Sequence, residues 1–182
     1  MDEARALVVI GVGNILLRDD AVGVRVVDAL RVLAEHDPVA LPEHTRLVDG
    51  GTLGLDLLRT VRDARGLVIV DAMALGDPDG TVTVRWGDAV VAAGGHGRRG
   101  TNSIGELLAI ARLMGWLPEP VALVGVEAAD IDFGVELSPS VATAVPAAVH
   151  AVRDALRKMD EQATGEERPA TGRPTRTIGA TA

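Results

Sequence analysis

The sequence predicts a single α/β domain, in which a doubly wound, mostly parallel sheet carries helices on both faces. Strand-like and helix-like segments alternate along the chain, and crossover helices between parallel strands produce this order. The strand candidates are short runs of aliphatic residues, as expected for strands buried on both faces. The near absence of aromatic residues, with no Tyr and one Phe among 182 residues, fits such an aliphatic core.

The first half of the chain contains three predicted strands and two predicted helices. Residues 7–10 form an apolar run that ends in a glycine turn, and residues 22–33 carry apolar side chains at helical spacing. A short strand over residues 46–48 and a helix over residues 53–61 follow. Residues 66–70 are predicted as a third, fully buried strand because the run is short and apolar.

The second half is predicted to contain, in order, a strand at 81–86, a flexible glycine-rich loop at 92–101, a helix at 103–114, a core strand at 121–125 and a closing helix at 138–159. The strand at 81–86 alternates in polarity, which indicates an edge or antiparallel position. Pro146 is expected to kink or break the closing helix. From residue 160 the composition shifts to Thr, Gly, Pro, Arg and Glu. The domain is therefore predicted to cover residues 1–159, with a disordered tail at 160–182.

Composition and charge exclude several classes of function. The net charge of −8 argues against a nucleic-acid partner, which favours a basic surface. No apolar run approaches the length of a membrane span, and the acidic start at Met1-Asp2-Glu3 is unlike a signal peptide, so we expect a cytoplasmic protein. The chain has no cysteine, which excludes disulfides, thiolate metal sites and a cysteine nucleophile. Any metal must therefore bind Asp, Glu or His.

Acidic residues follow the predicted core strands, namely Asp20, Asp49, Asp71 and Glu127. Because the carboxyl ends of parallel strands meet at one sheet edge, where open α/β sheets bind ligands, we expect these side chains to share that edge. Unpaired charge is costly there. The sequence therefore predicts that a metal, an arginine or backbone N–H groups satisfy these carboxylates.

The glycine turn after the first strand does not match the dinucleotide-binding fingerprint. That motif needs a third glycine three residues after the second, and Leu16 occupies this position. The two acids that follow would also repel a pyrophosphate. Asp19 taken alone is interpreted as the N-cap of the next helix, whereas Asp20 is a candidate site residue.

Several motifs, taken in order, resemble one known family. Residues 11–23, with the sequence GVGNILLRDDAVG, resemble the N-terminal signature of the hydrogenase maturation endopeptidases. Residues 49–54 (DGGTLG) and 68–72 (VIVDA) resemble the second and third motifs of that family. The resemblance continues through residues 101–103, 123–127 and 137–139 and covers roughly residues 7–157.

The resemblance implies an endopeptidase that removes the C-terminal extension of a nickel–iron hydrogenase large-subunit precursor after nickel insertion. The nickel would belong to the substrate, and no organic cofactor is implied. Family members contact the metal through an acid after the first strand, an Asp after the third and a His in the loop before the next helix. The two acids carry over to Asp20 and Asp71 as catalytic, metal-contacting residues.

The third family position falls at Gly100, and this chain instead has His96 four residues earlier. Either the glycine-rich loop brings His96 to the site as the third ligand, or the position is lost and metal recognition is altered. The segment Asp49-Gly50-Gly51-Thr52 has two interpretations as well. Either the segment binds the substrate backbone, or Asp49 anchors the turn through local hydrogen bonds.

Other hydrolase signatures are absent, and two alternative functions stay open. The sequence has neither a His-Glu-x-x-His motif nor a Gly-x-Ser-x-Gly elbow. How the peptide bond is attacked does not follow from these motifs, and the hypothesis is a water positioned or polarised at the metal. One alternative is a non-catalytic module that docks on a hydrogenase subunit. The other is a metal-dependent enzyme that acts on a small molecule.

Overall fold

The computed structural model describes residues 5–94 and 104–166. This part of the chain contains one five-stranded sheet in the order β2-β1-β3-β5-β4. Its strands are β1 (Leu7–Val12), β2 (Thr45–Gly51), β3 (Gly66–Met73), β4 (Val82–Trp86) and β5 (Val121–Glu127). All neighbouring strands pair in parallel except β4, which is an edge strand antiparallel to β5. The predicted fold class and the edge position of the fourth strand are thus confirmed.

Helices cover both faces of the sheet. They are α1 (Val22–His36), α2 (Leu58–Arg62), α3 (Asp88–Gly94), α4 (Ile104–Leu113) and α5 (Pro139–Glu166). The side chains of β1, β3 and β5 alternate between two apolar clusters, as the period of a strand requires. Val9 and Val68 pack with α1 and α5 on one face, while Ile10 and Ile69 pack with α2, α3 and α4 on the other.

Two predicted segments differ from the structure near the glycine-rich loop and the second helix. Residues 88–94 form α3, so the predicted flexible loop at 92–101 begins too early. Val90 and Ala93 are buried under the sheet. This tertiary packing stabilises a helix that the local sequence does not predict. The helix predicted over residues 53–61 is instead a 3-10 turn, Gly54–Leu57, followed by the short α2.

The closing helix is longer than predicted. α5 is continuous through Pro146 and ends at Glu166 rather than at residue 159. Burial of Val141, Ala148 and Val152 against the sheet offsets the hydrogen bond that the proline cannot donate. Asp160 forms an ion pair of 2.6 Å with Arg65, so the predicted start of a tail at residue 160 is wrong. Within the described ranges, no helix is both long and apolar enough to cross a membrane.

Candidate active site

The start of α1 lies directly over the carboxyl ends of β1 and β3. A Cβ atom at Gly23 would overlap the carbonyl oxygens of Val12 and Val70, so only glycine permits this approach. The loop between β1 and α1 also packs closely against itself, because a Cβ at Gly13, whose φ is +130°, would overlap the carbonyl oxygen of Asp20. The two glycines therefore hold the loop that carries Asp20 against the strand ends.

Asp20 lies in the 3-10 turn Arg18–Ala21 that leads into α1. The backbone N–H of Asn14 donates a hydrogen bond of 2.6 Å to Asp20 Oδ2. Asp20 Oδ1 accepts no hydrogen bond from the described residues. The carboxylate is thus oriented by its own loop, with one oxygen left for a ligand.

Asp71 follows the last residue pair between β1 and β3, which is Gly11 with Val70. Burial, and after it the negative charge of Asp20, together raise the pKa of the Asp71 carboxyl from 3.8 to about 7, while a hydrogen bond from the Ala72 N–H opposes the rise. The coupling requires the two carboxylates to be close. Because α1 also begins directly over the ends of β1 and β3, Asp20 and Asp71 lie at the same sheet edge, which is the location that the sequence predicts.

His96, the third predicted ligand, lies outside the described residues, as do Gly100 and the loop around it. Among the residues that the structure describes, no three His, Asp or Glu side chains form a potential metal site. The other histidines are remote from Asp20 and Asp71. His36 bonds Val32 O at the far end of α1, His150 pairs with Asp154 on α5, and His44 precedes β2.

Asp19 has a structural role that the sequence does not indicate. Its side chain is fully buried and accepts hydrogen bonds from the N–H groups of Ala129, Asp130 and Ser138 and from Ser138 Oγ. The interpretation of Asp19 as the N-cap of α1 is wrong, because Ala21 occupies that position without a side-chain cap. Asp19 instead fastens the β1–α1 loop to the segment that precedes α5.

Glu127 shares the sheet edge but its carboxylate is already satisfied. Both of its oxygens accept hydrogen bonds from Leu75 N–H, at 2.9 and 3.0 Å, and Oε1 accepts one from Gly76 N–H at 2.8 Å. Glu127 is buried at the end of β5. It therefore orders the loop after β3, and backbone donors satisfy its carboxylate.

The Asp49–Thr52 segment favours the anchoring interpretation over substrate binding. Asp49 Oδ1 accepts a hydrogen bond of 3.0 Å from Gly51 N–H, and Gly51 O accepts one of 2.9 Å from Gly13 N–H. Gly50 is buried, and a Cβ there would crowd the side chain of Ile10 at 2.6 Å. These contacts join the β2 turn to the loop that holds Asp20. Thr52 is exposed, and its contact with substrate stays a prediction.

Comparisons with known proteins identify the family. The sequence model for hydrogenase maturation proteases matches residues 24–155. The chain is 32% identical over 164 residues to the hydrogenase 2 maturation protease of Escherichia coli. The matched region covers 88% of this chain and 96% of that protein. It is 36% identical over 152 residues to the hydrogenase expression/formation protein HupD of Rhodobacter capsulatus, covering 81% and 70% of the two chains.

A solved structure agrees with the sequence comparisons. The hydrogenase maturating endopeptidase HybD from Escherichia coli superposes with a TM-score of 0.74 at 31% identity, over 84% of this chain and 93% of that one. The sequence and fold comparisons agree, and this chain belongs to the hydrogenase maturation protease family.

Proposed function

We propose that this protein is the endopeptidase that removes the C-terminal extension from the large-subunit precursor of a nickel–iron hydrogenase after nickel has been inserted. In this proposal the nickel is part of the substrate, and the protease recognises its presence. Membership of the family supports the assignment of peptidase activity. The acidic pair at the sheet edge supports the recognition of a cation.

One observation carries the proposal. Asp20, in the loop between β1 and α1, and Asp71, near the end of β3, lie at the same sheet edge, and the charge of Asp20 raises the pKa of Asp71. Neither carboxylate forms an ion pair within residues 5–94 and 104–166. A divalent cation would relieve both the repulsion and the burial cost, and carboxylates together with an imidazole suit nickel or zinc. We assign His96 as the candidate imidazole.

The residues of this chain then have distinct tasks. Asn14 N–H fixes Oδ2 of Asp20, so Oδ1 is the oxygen that meets the nickel of the substrate. Asp71 must lose its proton to bind the same ion, and the cation itself favours that ionised form. A water polarised at the nickel is the expected nucleophile for the peptide bond.

The test compares two forms of one precursor. The purified protein is incubated with nickel-loaded and with nickel-free large-subunit precursor, and the mass of each product is measured. We expect the loaded form to lose its C-terminal extension and the nickel-free form to stay intact. Equal cleavage of both forms would contradict nickel recognition. Binding of the precursor without cleavage of either form would support the non-catalytic docking module instead.

A further inference from the structure

Exposed apolar side chains are concentrated around the acidic pair. The described part of the chain has eleven large apolar side chains that are exposed, and six of them lie on three loops at the Asp20 edge of the sheet. These six, called the apolar rim here, are Ile15, Leu16, Leu53, Leu55, Phe133 and Val135. Phe133 is the only phenylalanine of the chain and is 87% exposed. Clustering of this kind marks interaction surfaces, whereas isolated exposed residues do not.

Hydrogen bonds join the three loops into one surface. Gly13 N–H donates to Gly51 O at 2.9 Å, which ties the β1–α1 loop to the loop that carries Leu53 and Leu55. Gly134 N–H donates to Leu16 O at 2.9 Å, and Arg18 N–H donates to Gly134 O at 3.0 Å. The β5–α5 loop therefore continues the same surface, with Phe133 and Val135 on either side of Gly134.

The charge around the rim is negative. Asp56, Asp132 and Glu136 are exposed and form no ion pair with another described residue. Arg18 is paired with Asp130 at 3.3 Å, whereas Arg25, which donates to Val135 O, keeps its positive charge. With Asp20 added, the acids of this end outnumber its unpaired arginine, so it favours a partner with positive charge.

We propose that the apolar rim is the docking surface for the precursor, and that it binds an extended polypeptide segment carrying apolar side chains and positive charge. This inference rests on the proposed function, because it takes a polypeptide as the substrate of the acidic pair. The loop that presents Ile15 and Leu16 also presents Asp20. A segment packed on the rim is therefore held beside the carboxylates. Aromatic residues such as Phe133 are typical anchors of protein interfaces.

The test measures binding of the nickel-free precursor, which probes the rim without the ion. The variants are Phe133→Ser combined with Val135→Ser and, on a separate loop, Leu53→Ser combined with Leu55→Ser. Leu113→Ser is the matched control, because Leu113 is also 87% exposed but lies at the end of α4, towards the opposite sheet edge. Thermal melting checks that each variant is folded. Should one pair unfold the protein, the other pair decides the outcome.

We expect each rim pair to raise the Kd for the nickel-free precursor about tenfold or more, as loss of one or two interface anchors does. With nickel-loaded precursor the same pairs should raise KM and leave kcat unchanged. The control should match the wild type. Equal Kd values for rim variants and control would overturn the inference, as would a wild-type dimer that the rim substitutions dissociate. The proposed function fails separately, when the wild type binds the precursor but cleaves neither form.

Discussion

Ser138 donates two hydrogen bonds to Asp19, from its backbone N–H to Oδ1 at 2.7 Å and from its hydroxyl to Oδ2 at 2.8 Å. Both residues are buried. The contact links the loop that carries Asp20 to the residue before α5. The same carboxylate also fixes the start of the β5–α5 loop, which carries Phe133. One buried acid thus sets the relative positions of the acidic pair and the apolar rim.

Asp19→Ala is expected to lower the free energy of unfolding by about 3 kcal/mol, because it leaves buried donors without their charged acceptor. Urea denaturation measures the change. Asp132→Ala is the control, since its exposed carboxylate makes no ion pair in the described part of the chain, and it should change stability by less than about 0.5 kcal/mol. Equal effects of the two substitutions would mean that Asp19 does not hold the loops together.

Asp71→Asn is expected to abolish processing and to remove a pH dependence of stability. The pKa of Asp71 is about 7 in the folded protein and 3.8 as its ordinary value, so the folded state binds the proton more tightly. Stability from this group is therefore full below about pH 4 and is lost as the pH rises to about 7. Without metal, Asp71→Asn should be more stable than the wild type at pH 8 and no more stable than the wild type at pH 4.

Urea unfolding at pH 4, 6 and 8 measures this effect. Asp20→Asn gives a second check, because loss of its charge lowers the pKa of Asp71 and should move the decline in stability to lower pH. Asp56→Asn, which replaces an exposed acid near the rim, should leave the pH profile unchanged. If the difference in stability between the wild type and Asp71→Asn did not change between pH 4 and 7, the pKa of Asp71 would be contradicted.

Gly13→Ala is expected to reduce processing strongly although it removes no functional group. The added methyl overlaps the carbonyl oxygen of Asp20, so the loop must shift and carry the carboxylate away from Asp71. Gly115→Ala is the matched control: Gly115 also has a positive φ, +67°, but nothing lies within 4 Å of its Cβ position. Processing rates and melting temperatures separate the two. Similar kcat values would show that the position of Asp20 tolerates the shift.

His96→Ala tests the third ligand. If His96 binds the ion, the substitution should weaken metal binding and processing about tenfold or more, as measured by calorimetry with nickel and by precursor cleavage. The double variant His96→Ala with Gly100→His should then restore processing if the site accepts a histidine at either loop position. A silent His96→Ala substitution would remove His96 from the ligand set.

Local sequence patterns were enough to predict the alternation of elements, the antiparallel edge strand and the placement of Asp20 and Asp71 at one sheet edge. These features depend on local patterns: an apolar run ends, a turn follows, and an acid comes within a few residues. Which of the acids are fully satisfied by distant backbone donors depends on the tertiary structure. Asp19 accepts hydrogen bonds from Ser138, which is 119 residues away along the chain, and Glu127 accepts them from Leu75, which is 52 residues away. No local pattern encodes such contacts, because buried carboxylates are satisfied by whichever backbone donors the folded loops bring to them.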